Sequence, residues 1–521
     1  MRIPHTVHCY AEGELPQSGK RSPSGGLATR TLVNRRVCFV KYMPWQNMDS
    51  IYYYDKEFHF MNFSYLRREP GFYRRVLTLA LPVVLQNLIT TSLGFMDTFM
   101  VGLVGQEQMS AVTVSNVPIY IIQLIIFGLQ SGSRVLISQF WGRDDRESIN
   151  RVMGIGFFVA GGISTLCAVT MGLFPRQVLL LITDNLRLVE LGTPYIRIVG
   201  FSYILNSLSS IYIGMQQSIE NPRFGMTVFA ISTACNTLGN YILIFGKLGL
   251  PALGITGAAV ATFFSRVVEF VISLTYALHC KRMPLIPSCI LRPGKAAFRS
   301  FVKFSTPVLL NETLWGTGTS LYTVIMGHMA GSTDLISAYT VAGNMDKMVT
   351  VAIFGVAAAA AVIVGKEVGM GGKNVYDIGR ALCFVALCTG FGVGIVEQLL
   401  FWLLLRPYVL PLFSMTATAA SLCVIMMICF SLSAPLHAFA TTNIVGVLRG
   451  GGDVRAAMLI DLLPLWCVSL PLLVLLGLVL HAPIALFCFV MAMESLLKVP
   501  LGMYRVRSGK WIHDVTRELD T

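Results

Sequence analysis

From Arg75 onward the sequence is a succession of long apolar runs broken by short polar stretches. Twelve of these runs are long enough to cross a bilayer as helices, at about 1.5 Å per residue over a hydrocarbon core of about 30 Å. They fall near 75–103, 107–140, 147–173, 189–217, 222–246, 253–280, 298–329, 334–365, 376–405, 416–447, 455–480 and 482–505. Lipid offers no partner to a free backbone N–H or C=O, so each run is expected to be helical. The short segments Pro175–Thr183 and Leu285–Leu291 are expected at the interfaces. Residues 1–69 differ: they are polar, rich in Pro, Ser and Gly, and have no sustained period or continuous apolar stretch of the kind that makes a secretory signal. A disordered tail is expected there, with Tyr52-Tyr53-Tyr54 and the basic cluster at Arg67, Arg68, Arg74 and Arg75 as an alternative contact with headgroups. A true start at Met48 or Met61 is a further alternative.

The pattern repeats. Leu81–Gly102 reads LPVVLQNLITTSLGFMDTFMVG, and Thr306–Gly327 reads TPVLLNETLWGTGTSLYTVIMG, with matches at Pro82/Pro307, Val83/Val308, Leu85/Leu310, Thr98/Thr323 and Gly102/Gly327. Ser110-Ala-Val-Thr-Val114 returns as Ser337-Ala-Tyr-Thr-Val341, and Ile126-Phe-Gly128 as Ile353-Phe-Gly355. Arg151 returns as Arg380, Gly214 as Gly446 and Arg223 as Arg455. Each copy holds six spans, an even number, so both copies insert in the same orientation and are related by an axis along the membrane normal. Parallel repeats of this kind belong to secondary transporters, in which one bundle moves against the other. The predicted fold is an all-α membrane protein of twelve transmembrane helices in two pseudo-symmetric six-helix bundles. The expected organisation is a tail over 1–69, a first lobe over 70–285, a second over 286–510 and a C-terminal tail over 511–521.

Composition agrees with a membrane protein: 54% of residues are hydrophobic and 13% charged, against about 25% charged in a soluble domain. Mean hydropathy is +0.66. The net charge of +13 is spread singly over loops with no aromatic-interleaved basic stripe, so nucleic acid is not an expected partner. With the N-terminus placed inside, the inner loops hold Arg143, Arg146, Arg151, Arg223, Lys281, Arg282, Arg292, Lys295, Arg299, Lys366, Lys373, Arg380, Arg449 and Arg455, whereas the outer loops hold Arg176, Arg187, Lys247 and Arg406. That asymmetry puts both termini in the cytoplasm, with the plasma (inner) membrane as the expected location. Most of the twelve cysteines lie inside apolar runs and none forms a CxxC pair, so small buried hydrophobes are expected rather than disulfides or a metal centre.

The residues that carry chemistry are polar groups inside apolar spans. A carboxylate in hydrocarbon costs several kcal/mol, about 3 on insertion scales, and so faces protein or a polar cavity. Asp97 lies about 9 Å inside the outer face by helix rise. Asn236 and Asn240, spaced i,i+4, share one face of the fifth span at similar depth, as does Thr262 on the sixth. One carboxylate, two amides and a hydroxyl at one level suit a small hard cation, and the acid alone suits a proton; hydrogen bonding between neighbouring helices is the plainer alternative for the asparagines. Glu312 lies near mid-membrane with Trp315 one turn on, an acid beside an aromatic face that would suit an organic cation; an ion pair with Lys347 is the alternative. Arg266/Glu269 and Glu494/Lys498 are spaced to satisfy each other. His437 reads as a bundle histidine or a proton sensor, and Gly161-Gly162 and Gly254–Gly257 as places of close helix approach. There is no phosphate-binding G-x-x-x-x-G-K-[ST] motif, nucleophile elbow or H-E-x-x-H, so no enzyme activity and no cofactor is expected beyond Na+ or H+ as coupling ion.

Taken together, Gly94-Phe-Met-Asp97-Thr-Phe-Met-Val-Gly102, Asn236-Thr-Leu-Gly-Asn240-Tyr-Ile-Leu-Ile-Phe-Gly246, Leu253-Gly-Ile-Thr-Gly-Ala-Ala-Val-Ala-Thr262, Pro307-Val-Leu-Leu-Asn-Glu312 and Gly446-Val-Leu-Arg449-Gly-Gly-Gly-Asp453 resemble the multidrug and toxic compound extrusion (MATE) family of cation-coupled exporters, over about residues 70–507. The resemblance implies a cation site at Asp97, Asn236, Asn240 and Thr262, a carboxylate at Glu312, a central substrate cavity between the lobes, and export of amphipathic, often cationic organic compounds in exchange for Na+ or H+; Glu312 and Trp315 are the candidate cavity residues. The expected partners are small organic molecules, the coupling cation and the bilayer, and the expected state is a monomer. The chain departs from the family in having Asn240 where some members place a second carboxylate, and His437 on the tenth span where some carry an acid. Two alternatives are a flippase of lipid-linked saccharides, which would want a large basic cavity, and a major-facilitator-type exporter, whose loop signature Gly142-Arg-Asp-Asp-Arg146 matches only in part.

Overall fold

The structure is a computed structural model that describes residues 66–69, 71–329, 331–410 and 415–519; the expected tail lies almost entirely outside these. Twelve long helical runs follow one another: α1 (Phe72–Gly102), α2 (Gln106–Gly142), α3 (Arg146–Leu173), α4 (Leu186–Ser218), α5 (Pro222–Phe245), α6 (Gly254–His279), α7 (Lys295–Gly327), α8 (Ser332–Gly369), α9 (Val375–Tyr408), α10 (Ala417–Leu448), α11 (Val454–Val479) and α12 (Ile484–Arg507). Eleven are apolar and long enough to cross a membrane. The twelfth, α7, has the length, but Lys295, Arg299, Lys303, Asn311, Glu312 and a run of threonines and glycines dilute its hydropathy. Short helices at Pro175–Leu180 and Pro287–Leu291 stand where interfacial segments were expected.

Local chemistry sets several boundaries. The Asp145 side chain accepts from Ser148 N at 3.0 Å and opens α3, and Asn185 accepts from Arg187 N at 3.0 Å at the start of α4. Thr416 caps α10 in the same way. These caps satisfy N–H groups that a helix N-terminus leaves free. Several spans are less regular than the sequence pattern predicts. Wider π turns occupy Phe401–Val409, Thr442–Leu448, Pro464–Ser469 and Leu475–Val479, and α12 is interrupted at Met493. Such turns are rare in helices and gather at functional sites; the one at Thr442–Leu448 runs directly into Arg449.

The two halves pack in a reciprocal way. The start of α1, through Val76, Leu79 and Ala80, shares a core with Val356, Ala359 and Ile363 of α8. The start of α7, through Phe301, Phe304 and Val308, shares one with Leu129, Leu136 and Phe140 of α2. The α1–α8 and α2–α7 contacts are therefore counterparts under the repeat. Among the described residues several tight approaches across this junction fall toward the end at which α1 begins. A Cβ on Gly132 would meet Ser305, on Gly142 the carbonyl of Lys366, and on Gly369 the carbonyl of Gln139. Of the glycine contacts expected from sequence, Gly257 does lie against the backbone of Leu243, but Gly162 has nothing within 4 Å.

The C-terminal segment folds back under this junction. Trp511 is fully buried, and Gln139 on α2 donates to the carbonyls of Gly450 (3.2 Å) and His513 (3.1 Å) while accepting from Val515 N (2.9 Å). Every hydrogen-bonding atom of that buried amide is used, which ties both halves and the tail together. Among the described residues the ten cysteines of the membrane region and its flanks are free, six of them buried.

Candidate functional site

The sequence-predicted set on the first half comes together. Near the far end of α1, Asp97 Oδ1 accepts from Asn240 Nδ2 at 2.5 Å; that amide also donates to Asn236 Oδ1 at 3.1 Å, and Asn236 Nδ2 donates to Thr262 Oγ1 at 3.3 Å. The i,i+4 spacing on α5 explains why the two amides form one ladder, since residues one turn apart share a face. Asn236 and Asn240 are 1% and 0% exposed. Among the described residues Asp97 makes no ion pair with Lys or Arg, and Asn240 Oδ1 is buried without a donor. A carboxylate with only neutral partners and an orphaned carbonyl oxygen beside it form an oxygen-only donor set, the kind that takes a small hard cation or a proton. One turn further along α6, Arg266 pairs with Glu269 at 2.6 Å as the spacing predicts, and Asn206 donates to the same carboxylate at 3.2 Å.

Glu312 and Trp315 sit differently. Both line a small cavity of about 50 Å³ together with His437, Arg449, Asp461 and Lys498. The partner of Glu312 is Arg449, at 2.6 Å, and not Lys347. Arg449, counted from sequence as an inner-loop charge, is 2% exposed and inside the bundle, where it also donates to Ser131. The pair Glu494–Lys498 forms at 2.5 Å, but Lys498 also holds Asp461 at 2.6 Å, Asp461 accepts from Asn311 at 2.8 Å, and Tyr322 donates to Glu494 at 2.6 Å. His437 lies within this network, edge-on to Phe354 and 3.5 Å from Ser495 Oγ. The second half thus carries a polar network closed on itself by ion pairs.

Sequence reading missed Arg134, Asp346, Glu397 and Asp461. Each is a lone charged residue or part of a lone charged pair in an apolar run, the same signal that singled out Asp97. Glu397 is fully buried and makes no ion pair among the described residues. Asp346 lines a cavity of about 180 Å³ beside Tyr339, Lys347 and Glu494.

Much more room lies directly above the junction of the halves. A cavity of about 510 Å³ is lined by α1 from Val83 to Leu93, α2 from Tyr120 to Arg134, parts of α4–α6, and Phe354, Ala358 and Val445 of the second half. That is the size of a site for a drug-like molecule. Neither Asp97 nor Glu312 lines it; its charged side chains are Arg134 and Arg266.

Comparison with known proteins agrees with this architecture. The MatE family model matches residues 82–242 and 307–475, one stretch in each half and together more than half of the chain. The probable multidrug resistance protein NorM of Thermotoga maritima is 24% identical over 413 residues, covering 78% of this chain and 87% of that protein. Among solved structures, a multidrug resistance MATE family transporter of the MOP superfamily in its outward-facing conformation aligns with a TM-score of 0.74 at 17% identity, covering 88% of this chain and 98% of the other. A MOP superfamily transporter from Pyrococcus furiosus, described as having a binding pocket of reverse polarity that suggests a different function, aligns at 0.73 and 18%, covering 86% and 98%. These matches exclude the major-facilitator alternative. With two repeats of six helices and a family match in each, the chain belongs to the MatE family of multi-pass membrane transporters and is not an enzyme.

Proposed function

We propose that this chain is a secondary active antiporter that exports amphipathic organic compounds from the cell in exchange for Na+ or H+. In this reading the lobes are residues 70–285 and 286–510, the protein works as a monomer in the plasma membrane, and both termini are cytoplasmic. The observation that carries it is Asp97: a carboxylate in an apolar bundle that touches Asn240, with Asn236 and Thr262 behind it, and no basic side chain in ion-pair contact. A cation arriving there need displace no ion pair.

The tight packing of the halves at the end where α1 begins, with a cavity above it, supports an outward-facing state. Binding of a cation at Asp97 then drives exchange only through a difference in affinity between outward- and inward-facing states. α1 is a suitable carrier of that difference. Its far end holds Asp97, its middle lines the cavity, and its start packs on the second half. A change of its course, beginning near Pro82 where a backbone hydrogen bond is missing, would couple all three.

The test is Asp97→Asn in proteoliposomes with Na+ and H+ gradients imposed separately. The expected outcome is loss of gradient-driven dye efflux with normal insertion and folding. Wild-type efflux from the mutant under either gradient would refute the assignment. A second reading, a flippase of lipid-linked saccharides, is favoured by one observation, the two arginines and no carboxylate around the large cavity.

A further inference from the structure

The charge of the large cavity points to a substrate class opposite to the one the buried acids suggest. Arg266 is neutralised by Glu269 at 2.6 Å, and Arg449, just beyond the cavity, by Glu312 at 2.6 Å. Arg134 is not. Its Nη2 donates to the amide oxygen of Gln217 at 3.1 Å, its Nε has no acceptor, and no carboxylate among the described residues lies within ion-pair distance. Glu312, whose charge reaches Arg134, is already committed to Arg449. Arg134 lies eight residues from the end of α2, about 12 Å along the helix, inside the packed bundle. A guanidinium placed there without a counter-ion is costly unless an anion visits it.

The rest of the wall fits an organic molecule carrying that anion. Beside Arg134 on α2 stand Gln123, Gln130 and Ser131, and α1 contributes Gln86, Asn87 and Thr90, all uncharged hydrogen-bonding groups. Tyr120, Phe127 and Phe354 supply aromatic surface. We propose that this cavity binds amphipathic organic compounds through a carboxylate, phosphate or sulfonate held by the Arg134 guanidinium. The planar fork of arginine suits two oxygens of such a group, which a lysine ammonium does not match. The proposal deepens the antiporter reading by naming the substrate's charge; the measurement below uses no ion gradient, so it succeeds or fails apart from the role given to Asp97.

The experiment is an anisotropy titration of the full chain in phosphatidylcholine nanodiscs, with fluorescein as the anionic probe and ethidium as the cationic one. Wild type is expected to bind fluorescein. Arg134→Gln should weaken it at least about tenfold, as expected for loss of a charge-assisted contact, while ethidium binding is not weakened. Arg134→Lys, which keeps the charge, should fall between and serves as the check that the bundle is intact. Displacement of fluorescein by phenyl phosphate assigns the site to soluble anions, and displacement only by a polyprenyl phosphate incorporated in the disc assigns it to a lipid-borne phosphate. Displacement by neither, equal fluorescein binding by wild type and Arg134→Gln, or a wild type that binds ethidium and not fluorescein, overturns the proposal.

Discussion

Glu220 offers a direct perturbation of the junction between the halves. It sits in the three-residue turn between α4 and α5, at φ 62°, a left-handed conformation that costs a non-glycine residue about 1–2 kcal/mol. Its contacts hold it there. Oε1 accepts from Arg75 Nη2 (2.5 Å) and Nε (3.0 Å) of α1, and Oε2 from Lys366 Nζ (2.6 Å) of α8 and Trp141 Nε1 (3.3 Å) of α2. The Lys366 contact crosses from the first half to the second. The side chains are 14% exposed at Glu220, 23% at Lys366 and 36% at Arg75, between a surface pair worth under about 1 kcal/mol and a buried one whose disruption costs about 3–5 kcal/mol. Glu220→Gln keeps the shape and some hydrogen bonds, so a loss of about 2 kcal/mol is expected, a factor of about 30 in the local opening equilibrium of this contact. Hydrogen exchange of peptides spanning residues 364–372 and 217–223 should accelerate accordingly. The pH dependence has a defined sign. Burial pushes the Glu220 carboxyl up, but Lys366 and Arg75 outweigh it and hold it below its ordinary value of 4.5. Its stabilisation is therefore fully present above about pH 4.5 and lost as pH falls through the lower folded value. Wild type should lose stability in that window while Glu220→Gln does not. Identical exchange in mutant and wild type at neutral pH would refute the clamp.

Two further outcomes follow from the packing. Gly369→Ala puts a Cβ against the Gln139 carbonyl and should lower stability by about 2–3 kcal/mol, whereas Gly343→Ala on the same helix, with nothing within 4 Å, should be neutral or slightly stabilising; thermal unfolding in detergent checks both. Glu312→Gln leaves the 2%-exposed Arg449 without its counter-ion and should cost about 3–5 kcal/mol, much of it recovered in Glu312→Gln/Arg449→Met, so a double-mutant cycle should show strong non-additivity.

The fold was legible because lipid removes alternatives. Long apolar runs can only be helices, and a repeat of such runs can only be a duplicated bundle, so twelve spans and their two-fold relation followed from sequence. The first-half ladder was legible for a related reason: Asp97, Asn236, Asn240 and Thr262 share one depth, and helix rise converts sequence number into depth. Partners across the bundle were not legible. Arg449 sits four residues before Asp453 in a glycine-rich stretch that reads as a loop, and the π turns over Thr442–Leu448 that carry the bundle down to it leave no mark in hydropathy. Side-chain direction was not legible for a similar reason: it depends on helix rotation, which turns Asp97 and Glu312 away from the 510 Å³ cavity and leaves Glu312 and Trp315 on the smaller one.

The same duplication exposes an asymmetry that bears on which half suits the cation of the proposed exchange. The 225-residue offset between the first and seventh spans takes Asp97 to Tyr322, and the 232-residue offset of the later spans takes Thr262 and Arg266 to Glu494 and Lys498. At equivalent places, then, the first half has an acid on its first helix facing amides, and the second has a tyrosine donating to an acid on its last helix. Each last helix also carries a buried cation, but their partners differ. Arg266 is matched one to one by Glu269, leaving Asp97 with neutral neighbours, whereas Lys498 is shared by Glu494 and Asp461 at 2.5 and 2.6 Å. To bind at Glu494 or Asp461 an incoming Na+ must displace a fixed ammonium that is already desolvated, and breaking such a buried pair costs about 3–5 kcal/mol. At Asp97 it competes only with an amide N–H. Of these equivalent sites, the first half's can therefore fill and empty without dismantling an ion pair, while the second half's network is suited to keeping its bundle rigid.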